Sequence, residues 1–93
     1  MDLKKAMVSL AAVCLDERIN VWHISAYTAI LQLWYQGDFR NPVFITRRKI
    51  MELSHIGSIA TYHKCIKQLE QYGYIRYNPS YHPLSGSQVL LNI

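Results

Sequence analysis

Two helix-capping signals stand close together in the middle of the chain and limit what it can build. Thr46 precedes Arg47 to Ser54, where Ile50, Met51 and Leu53 supply an apolar face. Ser58 precedes a longer run to Tyr72, in which Tyr62, Cys65, Ile66 and Leu69 recur at three- and four-residue spacing. Only His55-Ile56-Gly57 separates the two. The pattern predicts a two-turn helix, a tight connection with Gly57 at positive φ, and a long helix stopped by Gly73. The other side of the long helix carries Ala60, His63, Lys64, Lys67 and Gln71. One face packs and the opposite one is free to bind.

The flanking segments fill in the rest. Leu3, Ala6, Met7, Leu10, Val13 and Cys14 form one helical stripe, predicting a helix over residues 3–15 with Asp2 as its N-cap. A second helix follows Asn20 and runs through Tyr27, Ile30, Leu31 and Trp34 to Gly37, and it should be the main core element. Asn41-Pro42 reads as loop, and Val43 to Ile45 as a brief strand. Residues 74–78 and 87–93 read as strands on either side of a loop rich in Pro, Ser and Gly, so the chain closes with a β-hairpin. At 93 residues, 51% of them apolar, this is one domain of the α+β class, mainly α with a small β-hairpin. Residues 1–20 form an N-terminal helical extension and residues 21–93 the core. A chain this short has little left to wall a deep substrate cleft.

Charge is segregated along the sequence. Ten Lys and Arg oppose six Asp and Glu, for a net charge of +4. Residues 1–45 are neutral in sum, and residues 77–93 carry no formal charge. The whole excess falls in residues 46–76, which hold Arg47, Arg48, Lys49, Lys64, Lys67 and Arg76 against Glu52 and Glu70. Such segregation points to one face for a polyanion, the alternative being an ordinary solvated helical surface. Two cysteines, Cys14 and Cys65, are too few for a disulfide framework, which favours a reducing cytoplasm. Lys4-Lys5 ahead of an apolar stretch has the outline of an export leader. Val13, in front of Cys14, argues against lipoprotein cleavage, and the stretch is too short to span a bilayer.

Taken together, the order of elements and the stretches Ile45-Thr46-Arg47-Arg48-Lys49-Ile50-Met51-Glu52-Leu53, Gly57-Ser58-Ile59-Ala60-Thr61-Tyr62 and Ile66-Lys67-Gln68-Leu69-Glu70-Gln71-Tyr72-Gly73-Tyr74-Ile75 resemble the winged helix-turn-helix family. The resemblance covers roughly residues 22–92. Trp22-His23-Ile24-Ser25 and Ala60-Thr61-Tyr62-His63-Lys64-Cys65-Ile66 look like segments of small accessory DNA-binding proteins of bacterial mobile elements, of the transposon or excision type. The resemblance implies a partner, double-stranded DNA, and a reader, the helix that begins after Ser58. A B-DNA major groove, about 12 Å wide, admits one α-helix. Ser58, Ala60, Thr61, His63 and Lys64 then face base edges or nearby phosphates, with His63 and Lys64 foremost. Ser58 and Thr61 have capping as a competing use for their hydroxyls, and Ile59 has packing. Arg47, Arg48 and Lys49 open the preceding helix, where cations oppose the helix dipole and a bound phosphate would relieve the conflict. They position the protein on the backbone, as do Lys67 and Arg76. The loop between the last two strands has no cation, so Tyr81 and His82 either contact the backbone or simply connect strands.

Other classes of function find less support. There is no phosphate-binding Gly loop, no G-x-S-x-G and no convincing carboxylate pair, so no enzyme and no cofactor are expected. His63 and Cys65, two apart on a helix, point to different faces and form no metal site. A protein-docking module on the same scaffold is the competing reading, and the Leu3 to Cys14 stripe is a candidate homodimer seam.

Overall fold

Helices begin in this protein where a side chain is available to cap them. The computed structural model describes residues 2–80 and 86–93. Its elements are α1 (Asp2–Leu15), α2 (Val21–Gln36), β1 (Val43–Ile45), α3 (Arg47–Ser54), α4 (Ile59–Gln71), β2 (Ile75–Asn78) and β3 (Ser87–Leu91). Asn20 Oδ1 accepts from the backbone N–H groups of Trp22 and His23, at 2.9 and 3.2 Å, to start α2. Thr46 Oγ1 accepts from Lys49 N at 3.1 Å to start α3, and Ser58 Oγ from Thr61 N at 3.3 Å to start α4. Each bond satisfies one N–H that the helix itself leaves unpaired. Asp2 is different: it lies inside the first turn of α1 and is not its cap, so its carboxylate acts through the positive end of the helix dipole.

The chain turns between α3 and α4 at His55, not at Gly57. His55 is left-handed at φ 61°, as residues just past a helix end commonly are, and Gly57 has no need of positive φ. Buried Ile56 anchors the connection, its N–H donating to Ser54 Oγ. Ser25 of α2 donates to the Ser54 carbonyl, so the turn is held from below.

The expected two-stranded hairpin is a three-stranded antiparallel sheet of order β1-β3-β2. Strand β3 lies in the middle, pairing Val89 with both Val43 and Tyr77, and Leu91 with Ile75. Beneath the sheet and between the helices, Tyr27, Ile30 and Trp34 of α2 meet Ile50, Tyr62, Ile66, Leu69, Ile75 and Val89 in one core. Helix α1 adds Ala6 and Val13, with Leu10 partly buried. The rest of its predicted stripe is not packed: Leu3, Met7 and Cys14 are exposed, because α1 packs chiefly on α2 and meets it along a narrow line.

A polar latch fixes the α1–α2 loop to the far end of α4. Asp16 accepts from Arg18 N, Nε and Nη2, at 2.9, 3.0 and 2.6 Å, and from Tyr74 Oη at 2.6 Å. The Arg18 guanidinium lies over the Tyr72 ring, 4.3 Å from its centre. The Arg18 hydrogen bonds, then the Tyr74 hydroxyl, hold the Asp16 carboxyl far below its ordinary value of 3.8. A carboxyl depressed by folding contributes stability that is fully present above its unfolded value and is lost progressively as pH falls from there toward its folded value. In urea titrations the wild type should therefore exceed Asp16→Asn in stability at neutral pH, and the gap should narrow progressively as pH falls below about 4. A gap that is constant over that range contradicts the role of the Asp16 charge.

Candidate nucleic-acid interface

Helix α4 is positioned by its buried side and offers the other. Tyr62, Cys65, Ile66 and Leu69 are buried as the spacing predicts. Burial pushes the Tyr62 phenol up to about 12, and the nearby charge of Arg47 pulls the other way, which places the first residue of α3 beside α4. The last turn of α4 is tied to α2 by a polar pair. His23, 1% exposed, accepts the Asn20 N–H on Nδ1 at 3.0 Å. Its Nε2 therefore carries the proton and donates to Gln68 Oε1 at 2.7 Å. With the latch at Tyr74, two polar contacts hold the C-terminal end of α4.

The exposed side of α4 carries Ala60, His63, Lys64, Lys67 and Gln71, all open to solvent. No carboxylate occurs in the helix before Glu70. Glu70 does not oppose the cations, because its Oε2 accepts from the Tyr77 N–H at 2.7 Å and so covers an edge-strand donor. The sequence pairs Glu70 with the basic stretch only by proximity, and nothing in it signals this role. The His63 ring stands edge-on to Tyr62, with centres 5.2 Å apart, which fixes its base while leaving it exposed. Lys64 is exposed next to Cys65, whose thiol is raised by burial. His63 and Cys65 lie on opposite sides of the helix, one exposed and one buried.

Arg47, Arg48 and Lys49 are all exposed on the first turn of α3. A shallow depression of about 450 Å³ lined by Arg47, Arg48, Met51, Glu52 and Ile59 joins that turn to the start of α4. Arg48 pairs with Glu52 one turn on, at 3.4 Å, in a solvent-exposed contact of the kind that contributes well under about 1 kcal/mol. Ser58 spends its hydroxyl on the cap, and Thr61 is half-buried beside it. Ile59 is 48% exposed, so packing does not account for it.

Arg76 does not join this surface. Arg76 projects from β2 opposite Leu90 and shares a depression with Glu70, Gly73 and Asn92. That position is at the C-terminal end of α4, a helix about 20 Å long, away from Ile59. Tyr81 and His82 lie outside the described residues. Among the described residues no group of three or more His, Cys, Asp or Glu is placed to hold a metal ion, and no helix is long and apolar enough to cross a membrane. No family model, no curated protein and no solved structure matches the chain.

Proposed function

We propose that the chain is a winged helix-turn-helix protein that binds duplex DNA without catalysing a reaction. In this reading α4 enters the major groove, and the protein acts at the nucleoid in the cytoplasm as a transcriptional regulator or as an accessory factor in recombination or excision of a mobile element. The observation that carries the reading is the continuity of Arg47 and Arg48 with the start of α4, whose outer side then runs through His63, Lys64 and Lys67 without a carboxylate. A helix presented on its neighbour, with cations flanking its leading end, matches a groove lined on both sides by phosphates.

The roles divide by position. Arg47, Arg48 and Lys49 meet the backbone beside the exposed N–H groups of α3, and Lys67 meets it further along the groove. Ala60, His63 and Lys64 approach base edges: the imidazole and ammonium act as hydrogen-bond donors toward guanine or thymine acceptors, and the small Ala60 permits close approach. Ser58 serves through its cap, and Ile59 offers an apolar contact at the leading end.

The test is a binding selection from a random duplex pool, followed by titrations of the enriched site over a range of salt. Four cations on phosphates should give a log–log slope of about −3 to −4. A slope near zero, or no enrichment at all, sinks the reading and leaves the protein-docking module as the function of this scaffold.

A further inference from the structure

Helix α1 has a second apolar line that the monomer leaves uncovered. From Ala6 to Leu15 the helix carries no charge, yet only Ala6 and Val13 are buried. Lys4, Val8, Ala11 and Leu15 are spaced four, three and four residues apart, which sets them along one outward line, opposite Ala6, Leu10 and Val13. Val8 is 63% exposed and Leu15 83%. A helix that is apolar on both sides belongs between two partners, and the monomer supplies one. The line is not the Leu3 to Cys14 stripe that the sequence suggests as a seam.

The charges at the two ends of α1 identify the second partner. Lys4 and Lys5 at one end and Glu17 at the other are exposed and belong to neither of the ion pairs among the described residues. Asp2 offsets one of the lysines, and Arg18 is paired with Asp16, so the surface is net positive at one end, apolar in the middle and net negative at the other, which makes it complementary to itself under a two-fold rotation. Antiparallel pairing sets the lysines of each copy against the other's Glu17, opposes the two helix dipoles favourably and brings Ala11 and Val8 together at the centre. Parallel pairing would oppose like charges.

The size also fits. The footprint of a bare fourteen-residue helix, roughly 200 Å², falls short of the roughly 800 Å² per partner that a stable interface needs. Apolar grooves of about 520 and 670 Å³ flank α1, one walled by Met7, Trp34 and Tyr35, the other by Val8, Ala12 and Ile93. They widen the surface on both sides, so the ridge of one copy has a trough to enter. None of Arg47, His63 or Lys64 lines either groove, so the α3–α4 surface stays free.

We propose that two copies of this chain associate through antiparallel α1 helices, with Val8, Ala11 and Leu15 at the seam and Lys4 and Lys5 of each copy facing Glu17 of the other. Sedimentation velocity on the full chain, without DNA, tests this independently of nucleic-acid binding. Across low to high micromolar concentration the wild type should move toward twice its 10.8 kDa. Val8→Glu with Leu15→Glu, both solvent-exposed in the monomer, should keep the helical spectrum and weaken association roughly a hundredfold or more. Glu17→Lys should weaken association at low salt, and adding Lys4→Glu and Lys5→Glu to it should restore the dimer. A wild type that stays monomeric, a double variant that dimerises like the wild type, or a charge swap that fails to restore association overturns the proposal.

Discussion

Replacing Gly86 with alanine is expected to cost more stability than any other glycine substitution tested in the chain, about 3 kcal/mol or more. Gly86 enters β3 at φ +66°, and a Cβ there would stand 2.8 Å from the carbonyl oxygen of Ile45. The left-handed conformation alone costs an alanine about 1 to 2 kcal/mol. The close approach adds to it, because the opposing atom is backbone: relief requires β1 to move off β3, and Ile45↔Ser87 is the first pair of that ladder. Since Ile45 and Val43 are buried beneath the sheet, that movement opens the core. Two other glycines serve as controls. Gly73, at φ +86° in open space, carries the conformational cost without the clash, so Gly73→Ala should lose about 1 kcal/mol. Gly57 has ordinary φ and nothing near a Cβ, so Gly57→Ala should be neutral or stabilise by about 0.4 to 1 kcal/mol. Thermal melts should show Gly86→Ala lower by about 12 °C or more. Equal losses at Gly86 and Gly73 would mean that the approach to Ile45 is not tight.

The contrast among these glycines shows which parts of the molecule can be read from its sequence. Local chemistry is legible: Thr46, Ser58 and Asn20 announce helix starts because a hydroxyl or amide oxygen can reach an N–H two or three residues away. The α4 faces are legible for a similar reason, since one period sorts Tyr62, Ile66 and Leu69 from His63, Lys64 and Lys67. Pairing across the chain is not. Val43 to Ile45 form a strand only because Ser87 to Val89 lie beside them, and nothing near β1 signals a partner so far away. The turn residue is not legible either, since Gly57 is the easier left-handed residue, whereas the end of α3 demands that conformation at His55. On α1 so many positions are apolar that the sequence cannot decide which line faces α2. The polar pair of His23 and Gln68 and the Glu70 carboxylate on Tyr77 N depend on tertiary placement, and their residue types alone suggest solvent or ligand.

Separating phosphate contacts from base contacts gives the largest expected effect on binding. Arg47 and Arg48 project from the first turn of α3, exposed, with one shallow depression linking them to Ile59. If both meet phosphates, Arg47→Ala with Arg48→Ala should weaken binding on every duplex alike and reduce the log–log salt slope by about 2. The fold should survive, because the one ion pair lost is the exposed contact of Arg48 with Glu52. His63 and Lys64 stand one to two turns into α4, where a side chain in the major groove reaches base edges. His63→Ala with Lys64→Ala should lose about 1 to 3 kcal/mol per base contact on the selected site, but far less on random duplex, so discrimination between the two collapses. The salt slope should fall by less than it does for the arginine pair, since imidazole neutralises no phosphate at neutral pH unless it is protonated. Titrating both double variants against the selected and the random duplex at two salt concentrations separates the roles. Loss of discrimination from the arginine pair, with uniform weakening from the α4 pair, would exchange them: α3 would then lie in the groove and α4 along its edge.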